Sequence, residues 1–207
     1  MLPAAMLCLQ RDTDPRWVAA AVEHLDELLA DHAHCEMKAA SSALSLAARV
    51  PDRPTLARAL AELAREEIDH YVRVLDELGR RGVALGPPPV DAYAVELRKL
   101  ANTTAGSPHR PEHALVDRLL VGALIEARSC ERFRLLIDAL RARGVADLAD
   151  FYEELLAAEA RHYRTFVDLA IEVAAGDEPS VRARLERLSA GEALICARLD
   201  NAPVVHG

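Results

Sequence analysis

The chain reads as an all-α protein: a four-helix bundle with a crossover connection, one extra short helix and a C-terminal helix. Three observations predict this. Apolar residues make up 51% of the 207 residues but aromatics only 4%, with Ala and Leu dominant, a mix that favours helix over strand. Pro15, Pro51, Pro54, Gly82, Gly86-Pro87-Pro88-Pro89, Pro111, Gly144 and Gly176 divide the chain into long helical blocks. Finally, residues 62–78 (ELAREEIDHYVRVLDEL) recur in register as 154–170 (ELLAAEARHYRTFVDLA), 92 residues on. That interval is too long for a solenoid repeat and marks a duplicated helical hairpin.

The elements follow in order. Asp14-Pro15 opens the first long helix, expected to run from Pro15 to about Arg49 before Val50-Pro51 stops it. The second starts near Pro54 and ends at Arg80-Arg81-Gly82, with cations at the negative end of the helix dipole and a glycine to leave the helix. Gly86-Pro87-Pro88-Pro89 cannot be helical; a short helix over Asp91–Leu100 and a polar loop over 102–110 are expected next. The third long helix runs from about Pro111 to Arg143 before Gly144, and the fourth from Ala146 to about Ala175 before Gly176. A last helix spans about Pro179 to Leu199. One domain over residues 1–207 is expected, with the bundle at about 15–176 and the C-terminal helix at about 179–199.

The duplicated segment carries Glu-x-x-His twice, at Glu67/His70 and Glu159/His162. Residues three apart share a helix face, so each pair can reach one point in space. A single such motif on an Ala/Leu-rich helix is ordinarily a solvated pair. Here both lie mid-way along apolar stripes: Leu60, Leu63, Ala64, Val74 and Leu78 in one copy, Tyr152, Leu155, Leu156 and Phe166 in the other. A buried carboxylate needs a compensating charge, and a bound cation supplies one. Each copy is preceded by a further inward carboxylate. Glu36 shares a stripe with Leu25, Leu29, Ala33, Ala40, Ala43 and Ala47, and lies 31 residues before Glu67. Glu126 shares one with Leu119, Gly122, Ala123, Cys130, Phe133 and Ile137, and lies 33 before Glu159; Glu131 is rotated away onto a face with Arg128 and Arg134. The expected metal ligands are Glu36, Glu67, His70, Glu126, Glu159 and His162, with no catalytic residue beyond them. Four carboxylates, two imidazoles and no thiolate favour iron or manganese over zinc.

Other residues attract weaker readings. His32, one turn before Glu36 on the inward face, is a candidate partner of that ligand, with a satisfied core or rim histidine as the favoured reading. Tyr71 and Tyr163, next to the ligand histidines, are read as packing. Cys35 and Cys130 are expected to be buried, inert thiols, and no C-x-x-C pair exists for a zinc or rubredoxin-type site. The apolar start of the chain lacks a basic region and a long apolar core, and no run reaches 18 apolar residues. No signal peptide or membrane span is expected, and the expected location is the cytoplasm.

The chain also resembles a known family, the bacterial tRNA hydroxylases acting on 2-methylthio-isopentenyl-adenosine, which are non-haem di-iron monooxygenases with a ferritin-like fold. The resemblance extends from about Trp17 to Leu199. Its narrowest segments are DHAHCEMKAAS from Asp31 to Ser41, LAREE from Leu63 to Glu67, VGALIEARSCERF from Val121 to Phe133, and EARH from Glu159 to His162. It implies a ferritin-like bundle holding two iron ions, with O2 as co-substrate, hydroxylating the isopentenyl side chain beside the tRNA anticodon. Two electrons must then come from an external reductase, because the chain shows no flavin, nicotinamide or iron–sulfur motif.

The expected partners are therefore tRNA, through its anticodon stem-loop, and an electron-transfer reductase. A net charge of −8 is not that of a general nucleic-acid binder, so RNA would have to meet a local patch. Lys38, Arg49, Arg53, Arg58, Arg98, Lys99 and Arg110 are the candidate phosphate contacts, and Phe133 or Tyr163 could line the route of the side chain. The alternatives are a ferritin-like iron-binding or ferroxidase protein and a peroxide-scavenging protein. The broken crossover and additional C-terminal helix suit a monomer or small oligomer better than a storage cage.

Overall fold

The computed structural model describes residues 7–103, 111–199 and 202–206. Among these are seven α-helices and no strand: α1 (Pro15–Glu23), α2 (Leu25–Ala47), α3 (Pro54–Arg81), α4 (Ala92–Thr103), α5 (Pro111–Ala142), α6 (Ala146–Val173) and α7 (Glu178–Cys196). The all-α expectation holds. Residues 1–6 and 104–110, with His109 and Arg110, lie outside the described residues.

The first long helix differs from expectation: it is two helices, α1 and α2, meeting at His24 (φ −119°, ψ 50°). No Pro or Gly marks the break. His24 N still donates to Ala20 O, and Leu28 N to His24 O, each at 3.0 Å, so the chain bends without stopping. The cause is tertiary rather than local, because α1 is anchored by Trp17, 1% exposed, under the Arg132 guanidinium 4.8 Å from its ring.

The other ends follow their signals. At the end of α3, Gly82 takes the left-handed conformation (φ 68°), and Val83 N reaches back to Leu78 O at 3.0 Å. At the end of α6 the left-handed position falls on Ala175 (φ 55°), with Gly176 N bonding Ile171 O at 2.9 Å. Gly176 is left-handed as well (φ 86°), so the turn uses two successive residues of positive φ. Asp91 caps α4 through Ala94 N at 2.8 Å, and Asp177 caps α7 through Ser180 N at 3.2 Å.

The described residues form two compact units. One runs Ala19–Val90 with Ala202–Val205, and its body is the α2/α3 hairpin. The hairpin is antiparallel: Arg81 at the end of α3 meets Asp26 at the start of α2, at 3.2 Å. The chain returns to it at Val205, whose N donates to Asp31 at 2.7 Å.

The other unit holds residues up to Val18, Asp91–Leu199 and His206, and is built on the α5/α6 hairpin with α4 and α7 packed on α5. Its core contains polar groups that sequence patterning did not reveal. Arg128, fully buried, donates to Glu192 from Nε (2.9 Å) and Nη2 (2.8 Å), to Glu131 at 2.9 Å, to Thr13 Oγ1 at 3.2 Å and to Arg11 O at 3.0 Å. Tyr93 OH and the Cys196 thiol also donate to Glu192, at 3.0 and 2.9 Å. Arg184 forms a second buried pair, with both Asp117 oxygens at 2.7 and 2.9 Å and Ala101 O at 2.9 Å. The segment before α1 is tied down by the same network, and Ser189 Oγ donates to Cys8 O.

Candidate metal centre

In the α2/α3 unit, α2 presents Glu36 and α3 presents Glu67 and His70. All three are buried, Glu67 at 1% exposure. His70 Nδ1 lies 3.6 Å from Glu36 Oε2 and 3.6 Å from Glu67 Oε2. Those separations exceed a hydrogen bond. They suit donors directed at a common small cation. Two hard carboxylates and one imidazole in an apolar interior form a donor set that fits iron or manganese.

His32 is fully buried, and its Nε2 stands 2.6 Å from Glu36 Oε1. The reading of a satisfied core histidine was incomplete. The group that satisfies it is the candidate ligand carboxylate of Glu36, so His32 also fixes the orientation of that carboxylate. Partners of this kind commonly tune metal ligands. The i,i+4 spacing was visible, but spacing does not reveal the rotamer.

In the α5/α6 unit, Glu126 comes from α5, and Glu159 and His162 come from α6. All are buried at 3–4% exposure. His162 Nδ1 lies 4.0 Å from Glu159 Oε2. The rival carboxylate Glu131 is occupied elsewhere, accepting from Arg128, from Thr13 N at 2.8 Å and from Thr13 Oγ1. Each unit therefore carries the same chemistry: one carboxylate on its first long helix, and a Glu-x-x-His on its second.

Three of the cysteines are shielded thiols. Burial pushes the Cys8 thiol up to about 11 and Cys196 up to about 12, and burial with the charge of Glu159 raises Cys130 further. A thiol near 11 is only about one part in a thousand thiolate at pH 8. Native protein at pH 8 is expected to leave Cys8, Cys130 and Cys196 largely unalkylated by iodoacetamide, with labelling after unfolding. Peptide mass spectrometry reads this directly, and fast native labelling of Cys130 would contradict it.

The other sequence candidates divide as follows. Tyr163 is half-buried and hydrogen-bonds the Cys8 thiol, while Phe133 packs on Tyr152 at 5.1 Å between ring centres. Arg49, Arg58 and Arg98 are exposed, and Arg53 is half-buried. Lys38 donates to Pro89 O at 3.1 Å, and Lys99 pairs with Glu96 at 2.7 Å. Among the described residues no helix is long and apolar enough to cross a membrane.

Known proteins resemble this arrangement along its whole length. A tRNA 2-(methylsulfanyl)-N(6)-isopentenyladenosine(37) hydroxylase of Pseudomonas putida is 41% identical over 192 residues, covering 93% of this chain and 88% of its own. One of the same description from Salmonella typhimurium is 29% identical, covering 80% and 76%. In structure, a Synechococcus protein with aldehyde deformylating oxygenase activity superposes with a TM-score of 0.81 at 34% identity, over 96% of this chain and 95% of its own. The fold class is thus the ferritin-like one of that oxygenase. A family model described as tRNA-(MS[2]IO[6]A)-hydroxylase (MiaE) matches residues 1–207, and the chain belongs to that family.

Proposed function

We propose that Glu36, Glu67, His70, Glu126, Glu159 and His162 together hold two iron ions. On this reading the protein is a tRNA hydroxylase that uses O2 to oxidise the isopentenyl side chain of 2-methylthio-isopentenyl-adenosine beside the anticodon. The observation that carries the reading is the buried Glu/Glu/His set, present once in each unit of a chain that matches the hydroxylase family throughout. Residues 1–207 then act as one functional domain.

Bound iron would supply O2 activation; the chain supplies everything that steers it. Four carboxylates balance two divalent charges, which removes the penalty of burying either alone. His32 holds Glu36 in one orientation through its 2.6 Å contact. Apolar neighbours on the ligand stripes, Leu29, Leu63 and Ala64 in one unit and Ala123 and Phe166 in the other, are buried and keep water from the reacting centre. Binding places the allylic methyl beside that centre, so proximity accounts for much of the acceleration.

Electrons come from an external reductase, and tRNA docks through its anticodon stem-loop on exposed cations such as Arg49, Arg58 and Arg98. The modified base is splayed out of the loop into the protein. The enzyme acts in the cytoplasm as a monomer or small oligomer. Nucleoside analysis of tRNA from cells with and without this protein tests the reading. The hydroxylated isopentenyl-adenosine is expected to vanish on deletion while its non-hydroxylated precursor accumulates. An unchanged nucleoside profile, or a cage of many subunits by size exclusion, would overturn it.

A further inference from the structure

Gly122 lies inside α5, a 32-residue helix, where glycine weakens helix formation relative to alanine. Its neighbourhood supplies a reason for it. A Cβ on residue 122 would stand 3.0 Å from Cε1 and Cζ and 3.1 Å from Cε2 of Phe166, closer than ordinary van der Waals contact. The outer edge of the Phe166 ring therefore occupies the space where a side chain at 122 would begin. Gly122 is four residues before Glu126, and Phe166 four residues after His162. On the antiparallel α5/α6 hairpin, both displacements run the same way, so the pair lies one turn, about 6 Å, beyond these two ligands. Phe166 is 5% exposed, whereas Gly122 and Ile125 are half-buried among buried neighbours Val121, Ala123, Leu124 and Glu126. The α5 backbone beside the ring is thus partly solvent-accessible.

We propose that Phe166, seated on Gly122, sets how long an alkyl arm can reach the metal centre, which makes it a specificity-determining residue for the five-carbon isoprenoid. This rests on the hydroxylase reading above. The glycine lets the ring lie back against α5; on this proposal the alkyl arm runs along the half-buried Gly122/Ile125 stretch, a slot whose far end is the ring edge. Alanine at 122 drives the ring forward into the slot. A smaller side chain at 166 deepens it.

The test uses full-length protein and synthetic anticodon stem-loops carrying 2-methylthio-N6-isopentenyl-, 2-methylthio-N6-geranyl- or unmodified adenosine. Steady-state kinetics with iron-loaded protein are joined by fluorescence-anisotropy binding to metal-free protein, which needs no turnover. Phe166→Leu is expected to raise the geranyl-to-isopentenyl ratio of kcat/KM at least about tenfold, the discrimination a hydrophobic pocket gives for a few methylenes. Geranyl affinity of the metal-free variant should rise in parallel, with no change for the unmodified loop. Gly122→Ala is expected to raise KM for the isopentenyl loop at least about tenfold, with iron content and Tm retained. Wild-type chain-length ratios and affinities in Phe166→Leu would overturn the proposal, and that variant alone decides should Gly122→Ala misfold. Wild-type protein that neither binds nor hydroxylates any prenylated loop would instead overturn the hydroxylase reading, and this inference with it.

Discussion

Glu67→Ala is expected to lower bound iron from two ions per chain to one or none and to reduce hydroxylation at least ~100-fold, since losing even an outer partner of a ligand costs 10–100-fold. The sharper expectation concerns stability. Glu36 Oε2 and Glu67 Oε2 both lie 3.6 Å from His70 Nδ1, so without metal two buried carboxylates crowd one imidazole. Deleting one relieves that repulsion, and metal-free Glu67→Ala should melt no lower than metal-free wild type. Iron binds the folded state and should stabilise wild type by about 2.7 kcal/mol at a free concentration one hundred times Kd. The variant should lose that increment. Metal analysis by mass spectrometry and melting with and without anaerobic Fe(II) read both quantities. Full iron content in Glu67→Ala would exclude it as a ligand. His32→Ala should behave more mildly, retaining iron at about 10–100-fold weaker affinity, because it acts on the proposed site through Glu36.

Arg128→Met should produce the largest loss of stability outside the metal ligands. Among the described residues, the substitution leaves the fully buried Glu192 carboxylate with Tyr93 and Cys196 as donors, and removes the Arg128 cation from Glu131. Breaking a buried pair from one side costs about 3–5 kcal/mol. In a chain of this length that lowers Tm by roughly 6–20 °C. Replacing both partners, as Arg128→Met with Glu192→Leu, should recover most of the loss, because an apolar pair of similar volume avoids the desolvation penalty. Urea unfolding of both single variants and the double variant measures the coupling. Additive losses would mean the network contributes little. The pair also lies two residues along α5 from Glu126, so its integrity holds that helix against α7 and the segment before α1.

Helix limits were legible wherever a local signal existed. Pro54, Gly82, Pro111, Gly144 and Gly176 mark ends within a few residues of those observed. The bend at His24 was not legible, because no residue there is unfavourable to helix and Trp17 is anchored by Arg132, more than one hundred residues away. The Glu/His stripes were legible because carboxylates in apolar faces conflict with burial unless something compensates them. Glu126 rather than Glu131 followed from helix rotation, and the structure gives Glu131 to Arg128 and Thr13. The buried faces of α5 and α7 were harder to read. Arg128, Arg184 and Glu192 look like solvated charges in a linear pattern, and each is buried with a partner distant in the chain.

By itself the sequence determined the helical class, the duplicated hairpin, the residue types able to hold metal and the family. All of these depend on composition, on spacing within a turn or on similarity along the chain. Tertiary structure decided that His32 braces Glu36, that Phe166 fills the space above Gly122, and that Arg128 meets Glu192 instead of water. These are contacts between side chains whose rotamers and solvation are set by packing, and no periodicity along the chain encodes them.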